Sequence, residues 1–223
     1  MAAAGDGAAA RTAMEELCRV YWLPLYAFAR RQGCSPQDAE DHTQVFLSQV
    51  VSTGLLAKVA GEGRRLRTCL LAAFQNDLID AHRRASRVKR GGGVSTVSLD
   101  ALQAEQLLGG LPSETSPVDA YDRLWAMSTL EAAVTALERQ YAERGQASLF
   151  QALRLFLDPS AGADYAAAMA ATGLDGGSVR QAVFRLRQRF RVLLRETIAD
   201  TLVRADEELI DEELAVLRGA MRG

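Results

Sequence analysis

The sharpest chemical pattern in the chain lies between Tyr165 and Leu194. A short run, YAAAMAAT, ends at Gly173, and Asp175, Gly176 and Gly177 precede a longer run that opens at Ser178. Glycine takes the left-handed conformation that closes a helix without the usual steric penalty, so this spacing predicts helix, tight turn, helix. In a helix-turn-helix the second helix enters the major groove of duplex DNA. Here it would turn Val179, Val183, Leu186, Phe190 and Leu193 inward at 3.6-residue spacing and present Arg180, Gln181, Arg187, Gln188 and Arg191 outward. Arginine pairs with guanine or grips phosphate through two parallel N–H donors, and glutamine can read adenine. A solvated basic face on a structural helix is the plainer account; the turn in front of it tips the reading to DNA.

Two further constellations sit in the first half. Over residues 64–90, Leu70, Leu71 and Phe74 mark a buried side, while Asn76, Arg83, Arg84, Arg87, Lys89 and Arg90 form an increasingly basic end. Phosphate contact suits such a stripe because neutralising phosphates releases counterions. The same cations would also complement a helix C-terminus. Over residues 35–51, Ser35, Pro36 and Asp38 make a capping box, and Asp41, Gln44 and Ser48 share one exposed stripe. Acids early in a helix are favoured by its dipole, which explains them without any partner. Nothing reads as an enzyme, a metal site or a cofactor site. His42 and His82 are isolated, Asp77 and Asp80 sit in a basic helix where salt bridges suit them, and no Gly-rich phosphate loop follows a strand.

The elements that must position these residues read as helices throughout. Of the 223 residues, 48% are hydrophobic and 24% charged, and β-branched residues form no alternating runs. The formal net charge of −2 hides local asymmetry. Residues 64–90 hold eight Arg or Lys against two acids, residues 180–195 six Arg and no acid, and residues 206–213 are strongly acidic. Charges beyond roughly 8–10 Å are screened in physiological salt, so the local stripes decide what binds. Cys18, Cys34 and Cys69 lack CxxC spacing and fit a reducing compartment. The N-terminus has no signal-peptide pattern and no apolar run is long enough to span a membrane, so a cytoplasmic location is expected.

The expected organisation is a disordered tail (1–11), a first helical domain (12–90), a flexible linker (91–120), a second helical domain (121–200) and an acidic amphipathic helix (201–223). Expected helices cover 12–33, 35–51, 64–87, 121–141, 147–157, 164–171 and 178 onward. Short helices are also expected over 55–59 and, within the linker, 99–108. Predicted buried stripes are Ala39, Thr43, Phe46, Leu47 and Val50; Leu66, Leu70, Phe74 and Leu78; and Leu124, Met127, Leu130, Val134 and Leu137. The C-terminal helix reads first as solvated and second as a cover for a basic face or another chain.

Together these segments resemble the sigma-70 family, specifically its two-domain extracytoplasmic-function branch. YWLPLYAFARRQGCSPQDAEDHTQVFLSQV, with D-A-E-D-x-x-Q-x-F over residues 38–46, looks like the start of region two, and GEGRRLRTCLLAAFQNDLIDAHRRASRVKRGGG like its remainder. ADYAAAMAATGLDGGSVRQAVFRLRQRFRVLL is similar to region four, which holds the helix-turn-helix. About two thirds of the chain is covered. Val45 stands where the family usually has an acid, Cys69 where it often has Trp, and the usual L-P-x-x-x-R-x-V opening of region four is absent.

The resemblance implies a transcription initiation factor. Its region two would dock on the β′ clamp helices of core RNA polymerase through Asp38, Asp41, Gln44 and Phe46. Asn76, Asp80, Arg83, Arg84 and Arg87 would meet the −10 element of promoter DNA, with residues 61–67 as a pocket for an unstacked base. Region four, which in the family also meets the polymerase β flap, would read the −35 element through Ser178, Arg180, Gln181, Arg185 and Arg187. An anti-sigma factor is a further partner the family allows. Two other accounts stay open: a stand-alone helix-turn-helix regulator, and a degenerate helical protein that binds a partner.

Overall fold

The structure is a computed structural model that describes residues 3–53, 65–85, 98–202 and 206–222, with the side chains of 3–14, 16, 17, 84 and 85 left out. Every regular element among them is a helix: α1 (Ala3–Arg31), α2 (Pro36–Ser52), α3 (Leu66–Ala85), α4 (Leu99–Gly109), α5 (Pro117–Glu143), α6 (Ala147–Leu153) with a 3₁₀ turn over Arg154–Leu157, α7 (Tyr165–Thr172), α8 (Gly176–Asp200) and α9 (Glu207–Ala220). The all-α expectation holds. None of the described helices is long and apolar enough to cross a membrane. The chain forms two compact units, Met1–Ser128 with Ala199–Gly223, and Thr129–Ile198.

In the first unit, helix starts follow from local chemistry. At α2 the Asp38 N–H donates to Ser35 Oγ (3.1 Å), whose hydroxyl donates back to Asp38 Oδ2 (2.7 Å). At α5 Ser116 and Asp119 repeat this geometry at 3.1 and 2.7 Å. The core collects one face from each helix: Tyr21, Leu25 and Phe28 of α1, Phe46, Leu47 and Val50 of α2, and Leu66, Leu70, Phe74 and Leu78 of α3. The Phe74 ring lies 5.0 Å from Phe46 and 6.3 Å from Phe28, tilted to both, an arrangement that suits aromatic quadrupoles. The predicted stripes of α2 and α3 are all buried.

Three boundaries differ from expectation. Helix α1 begins at Ala3 and runs back through the segment expected to be a tail, where the alanines favour a helix although Gly5, Asp6 and Gly7 do not. Residues 98–120 are not a bare tether. Helix α4 buries Ala101, Ala104 and Leu108, and Leu108 joins Ala27, Ala120 and Leu124 in one apolar cluster. Arg30 grips Glu105 with two donors (Nε–Oε1 2.6 Å, Nη2–Oε2 3.0 Å), and Tyr26 Oη donates to the same carboxylate at 2.7 Å. The Arg30 hydrogen bonds hold the Glu105 carboxyl below the usual carboxylate range. Helix α5 starts at Pro117 rather than residue 121, since its capping box lies at Ser116. The short helix expected over 55–59 lies outside the described residues.

Helix α9 also differs from expectation: it is not a solvated appendage. Ile210, Glu213 and Leu217 are buried. Glu213, 1% exposed, accepts from Arg67 Nε at 3.0 Å and lies 3.4 Å from Arg65 Nε. Glu212 also pairs with Arg65, and Asp122 with Arg67, whose guanidinium lies 4.9 Å from the centre of the Trp125 ring. Burial works against the Arg67 charge, but the Glu213 hydrogen bond and charge, together with the Asp122 charge, raise its pKa. Burial pushes the Asp122 carboxyl up, and Arg67 offsets only part of that.

Candidate nucleic-acid interface

The second unit holds the predicted helix-turn-helix. Helix α7 is capped by Asp164, whose carboxylate accepts from Ala166 N–H (2.9 Å) and Ala167 N–H (3.3 Å). It ends at Gly173, with φ +69° and an N–H donated to the Met169 carbonyl at 2.9 Å. Helix α8 starts at Gly176 rather than at Ser178, because Asp175 caps it. Its Oδ1 accepts from Gly177 N–H (2.7 Å) and Ser178 N–H (3.0 Å), and its Oδ2 from the Ser178 hydroxyl (2.7 Å). Those bonds, the Ser178 hydroxyl first, lower the Asp175 pKa. The Ser178 proton is therefore committed to the cap, which leaves its oxygen as an acceptor only.

Helix α8 is held by the predicted stripe. Val179, Val183, Leu186 and Leu193 are buried with Leu137, Tyr141, Phe150, Leu153, Phe156 and Ala168, and Phe190 packs against them half-buried. Rows at i, i+4, i+7 and i+11 then place Arg180, Phe184, Arg187 and Arg191 along the outer side, flanked by Gln181, Arg185 and Gln188; all are exposed. Arg187 is only partly available, because its Nε donates to the Phe156 carbonyl at 3.0 Å. Phe184, 61% exposed in the middle of this face, was not among the expected residues. Its signal was visible as an aromatic falling off the apolar stripe. The arrangement offers several outward guanidiniums, amide groups and one apolar ring on a rigid rod without an acid between residues 180 and 195, chemistry suited to phosphates and base edges.

The first unit sorts its expected residues differently. Asp41 and Gln44 are exposed on α2, while Asp38 is occupied in its capping box. Phe46 cannot serve as a partner contact: at 4% exposed and packed on Phe74, it is core. Asp41, expected to face polymerase, and Asp80 and Arg83, expected to face DNA, line one groove together with His42, Val45, Gln49 and Asp77. Arg83 lies 3.6 Å from Asp80 in an exposed i, i+3 pair. Three carboxylates against the one Arg83 guanidinium leave this groove acidic, chemistry that suits a basic surface. Asn76 is exposed on α3. The side chains of Arg84 and Arg87, and most of the 61–67 segment, lie outside what the structure describes. Among the described residues, no group of three His, Cys, Asp or Glu could hold a metal ion.

Compared with known proteins, the chain matches no family model, no curated protein and no solved structure.

Proposed function

We propose that this protein is a transcription initiation factor of the extracytoplasmic-function sigma type, delivering core RNA polymerase to promoters through its second unit. The observation that carries the reading is the capped turn from Gly173 to Ser178, followed by a helix whose exposed residues between 180 and 191 are all Arg, Gln or Phe. What supports polymerase docking is the acidic groove beside α2: Asp41, Asp77 and Asp80 beside exposed Val45 offer charge and apolar area to a basic helical partner. Each grip is small by itself, and joining them in one chain raises the effective concentration of the second once the first is made.

Size exclusion of the purified protein with bacterial core RNA polymerase in moderate salt, run beside Asp41→Arg, tests the reading. Co-elution that the variant loses is the expected result. An absence of association with core polymerase, alongside tight duplex binding by α8, would replace it with a stand-alone helix-turn-helix regulator.

A further inference from the structure

Helix α9 places carboxylates against the deeply held Arg67 and its neighbour Arg65. Arg65, just before α3, is one-third exposed and meets both Glu212 and Glu213; Arg67, inside α3, meets Glu213, Asp122 and the Trp125 face. Arginine's fork recognises carboxylate and phosphate by the same geometry, so two adjacent glutamates on a helix stand where two backbone phosphates of a nucleic-acid strand would bind. The chain leading to α9 is also tied to this spot, by an antiparallel backbone bridge between Arg65 and Leu202.

The attachment has the features of a releasable contact. Its apolar part rests on buried Ile210 and Leu217, with Leu209, Leu214 and Val216 only half-buried beside them. The Arg65–Glu212 pair is exposed enough for salt and competing anions to reach. Departure of α9 leaves Arg67 with the Asp122 carboxylate and the Trp125 ring, so no buried cation is left uncompensated, and it returns Glu213 to water.

We infer that the acidic C-terminal helix is an autoinhibitory strap: Glu212 and Glu213 occupy Arg65 and Arg67 and withhold them from a single nucleic-acid strand until α9 is displaced. This rests on the proposed promoter-binding function, and adds to it a regulated strand contact on the first unit. Arg65 is the cation gained on release, and Arg67 the pivot that stays in place.

The test measures binding of a fluorescein-labelled, mixed-sequence single-stranded oligodeoxynucleotide to the full chain and to Glu212→Gln/Glu213→Gln, which keeps the apolar face of α9 and a hydrogen-bond acceptor for Arg67. The expected result is roughly tenfold tighter binding by the variant, with a log–log salt slope steeper by about 0.7, the value for one single-strand phosphate. Adding Arg65→Ala should remove most of that gain, an outcome that a purely structural role for α9 does not produce. Deleting residues 203–223 should reproduce the gain. A folded Gln variant with unchanged affinity and slope overturns the proposal, as does loss of cooperative folding in both variants, since a strap that cannot leave without unfolding regulates nothing. Duplex binding, with and without Arg180→Ala, is measured in parallel. If it depends on Arg180 while the strap variants change nothing, the strap alone fails; if neither shows any binding, the functional reading falls with it.

Discussion

Gly173→Ala separates the geometry of the turn from mere stability. Gly173 sits at φ +69°, and a methyl group there would meet no atom within 4 Å, so the penalty is backbone strain and nothing else. Placing an L-residue in the left-handed region costs about 1–2 kcal/mol, and the stiffer unfolded chain returns ~0.4–1 kcal/mol of it. The net loss is therefore at most about 1.6 kcal/mol and centred near ~0.8 kcal/mol, which at a urea slope of ~2 kcal/mol/M moves the midpoint down by roughly 0.4 M. Gly145 provides the control: it has φ +67° and equally open surroundings, but lies in the α5–α6 turn rather than in the turn that leads into α8. Gly145→Ala should show a similar midpoint shift and unchanged duplex affinity. Gly173→Ala should add a loss of duplex affinity, and Gly173→Asn, which tolerates the left-handed region, should recover part of both losses. The assay pairs urea unfolding followed by circular dichroism with fluorescence anisotropy on duplex DNA. Equal effects of both Gly→Ala variants on duplex binding would refute the assignment of this turn to DNA recognition.

Three further outcomes follow from particular contacts. Phe46→Ala should destabilise the first unit by about 3–5 kcal/mol in chemical denaturation, because it opens a cavity beside Phe74, whereas Val45→Ala, at an exposed site, should stay within ~0.5 kcal/mol. Arg180→Ala should weaken duplex binding by about 1–3 kcal/mol without changing the melting temperature, while Arg187→Ala should lower both, since its Nε also anchors the Phe156 carbonyl. Glu105 has a folded pKa below its unfolded value of 4.5, so its contribution to stability is complete above about pH 4.5 and is lost as pH falls through the lower folded value. Glu105→Gln should accordingly flatten the acid limb of the stability–pH profile, measured by urea midpoints from neutral pH downward.

What the sequence by itself determined was local. The α2 cap at Ser35, the left-handed stop at Gly173, and the buried stripes of α2, α3 and α8 are set by residues within one or two turns of each other. The same short-range logic had one more signal to offer: S-P-V-D at 116–119 repeats S-P-Q-D at 35–38, and it starts α5 where a tether was expected to continue. Tertiary structure decided everything that depends on partners distant in the chain. A serine–glycine-rich run with a weak helix in it reads as a linker until Arg30 and Tyr26, more than 70 residues away, supply the donors that Glu105 needs. Phe46 could be read equally as core or as partner surface, and only the Phe74 ring at 5.0 Å settles it as core. An acidic amphipathic helix at the end of the chain looks solvated because charge periodicity records a polar face without recording what lies against it. Burial of Glu213 becomes affordable only where folding brings Arg65 and Arg67 to it across some 146 residues, an encounter that no local pattern encodes.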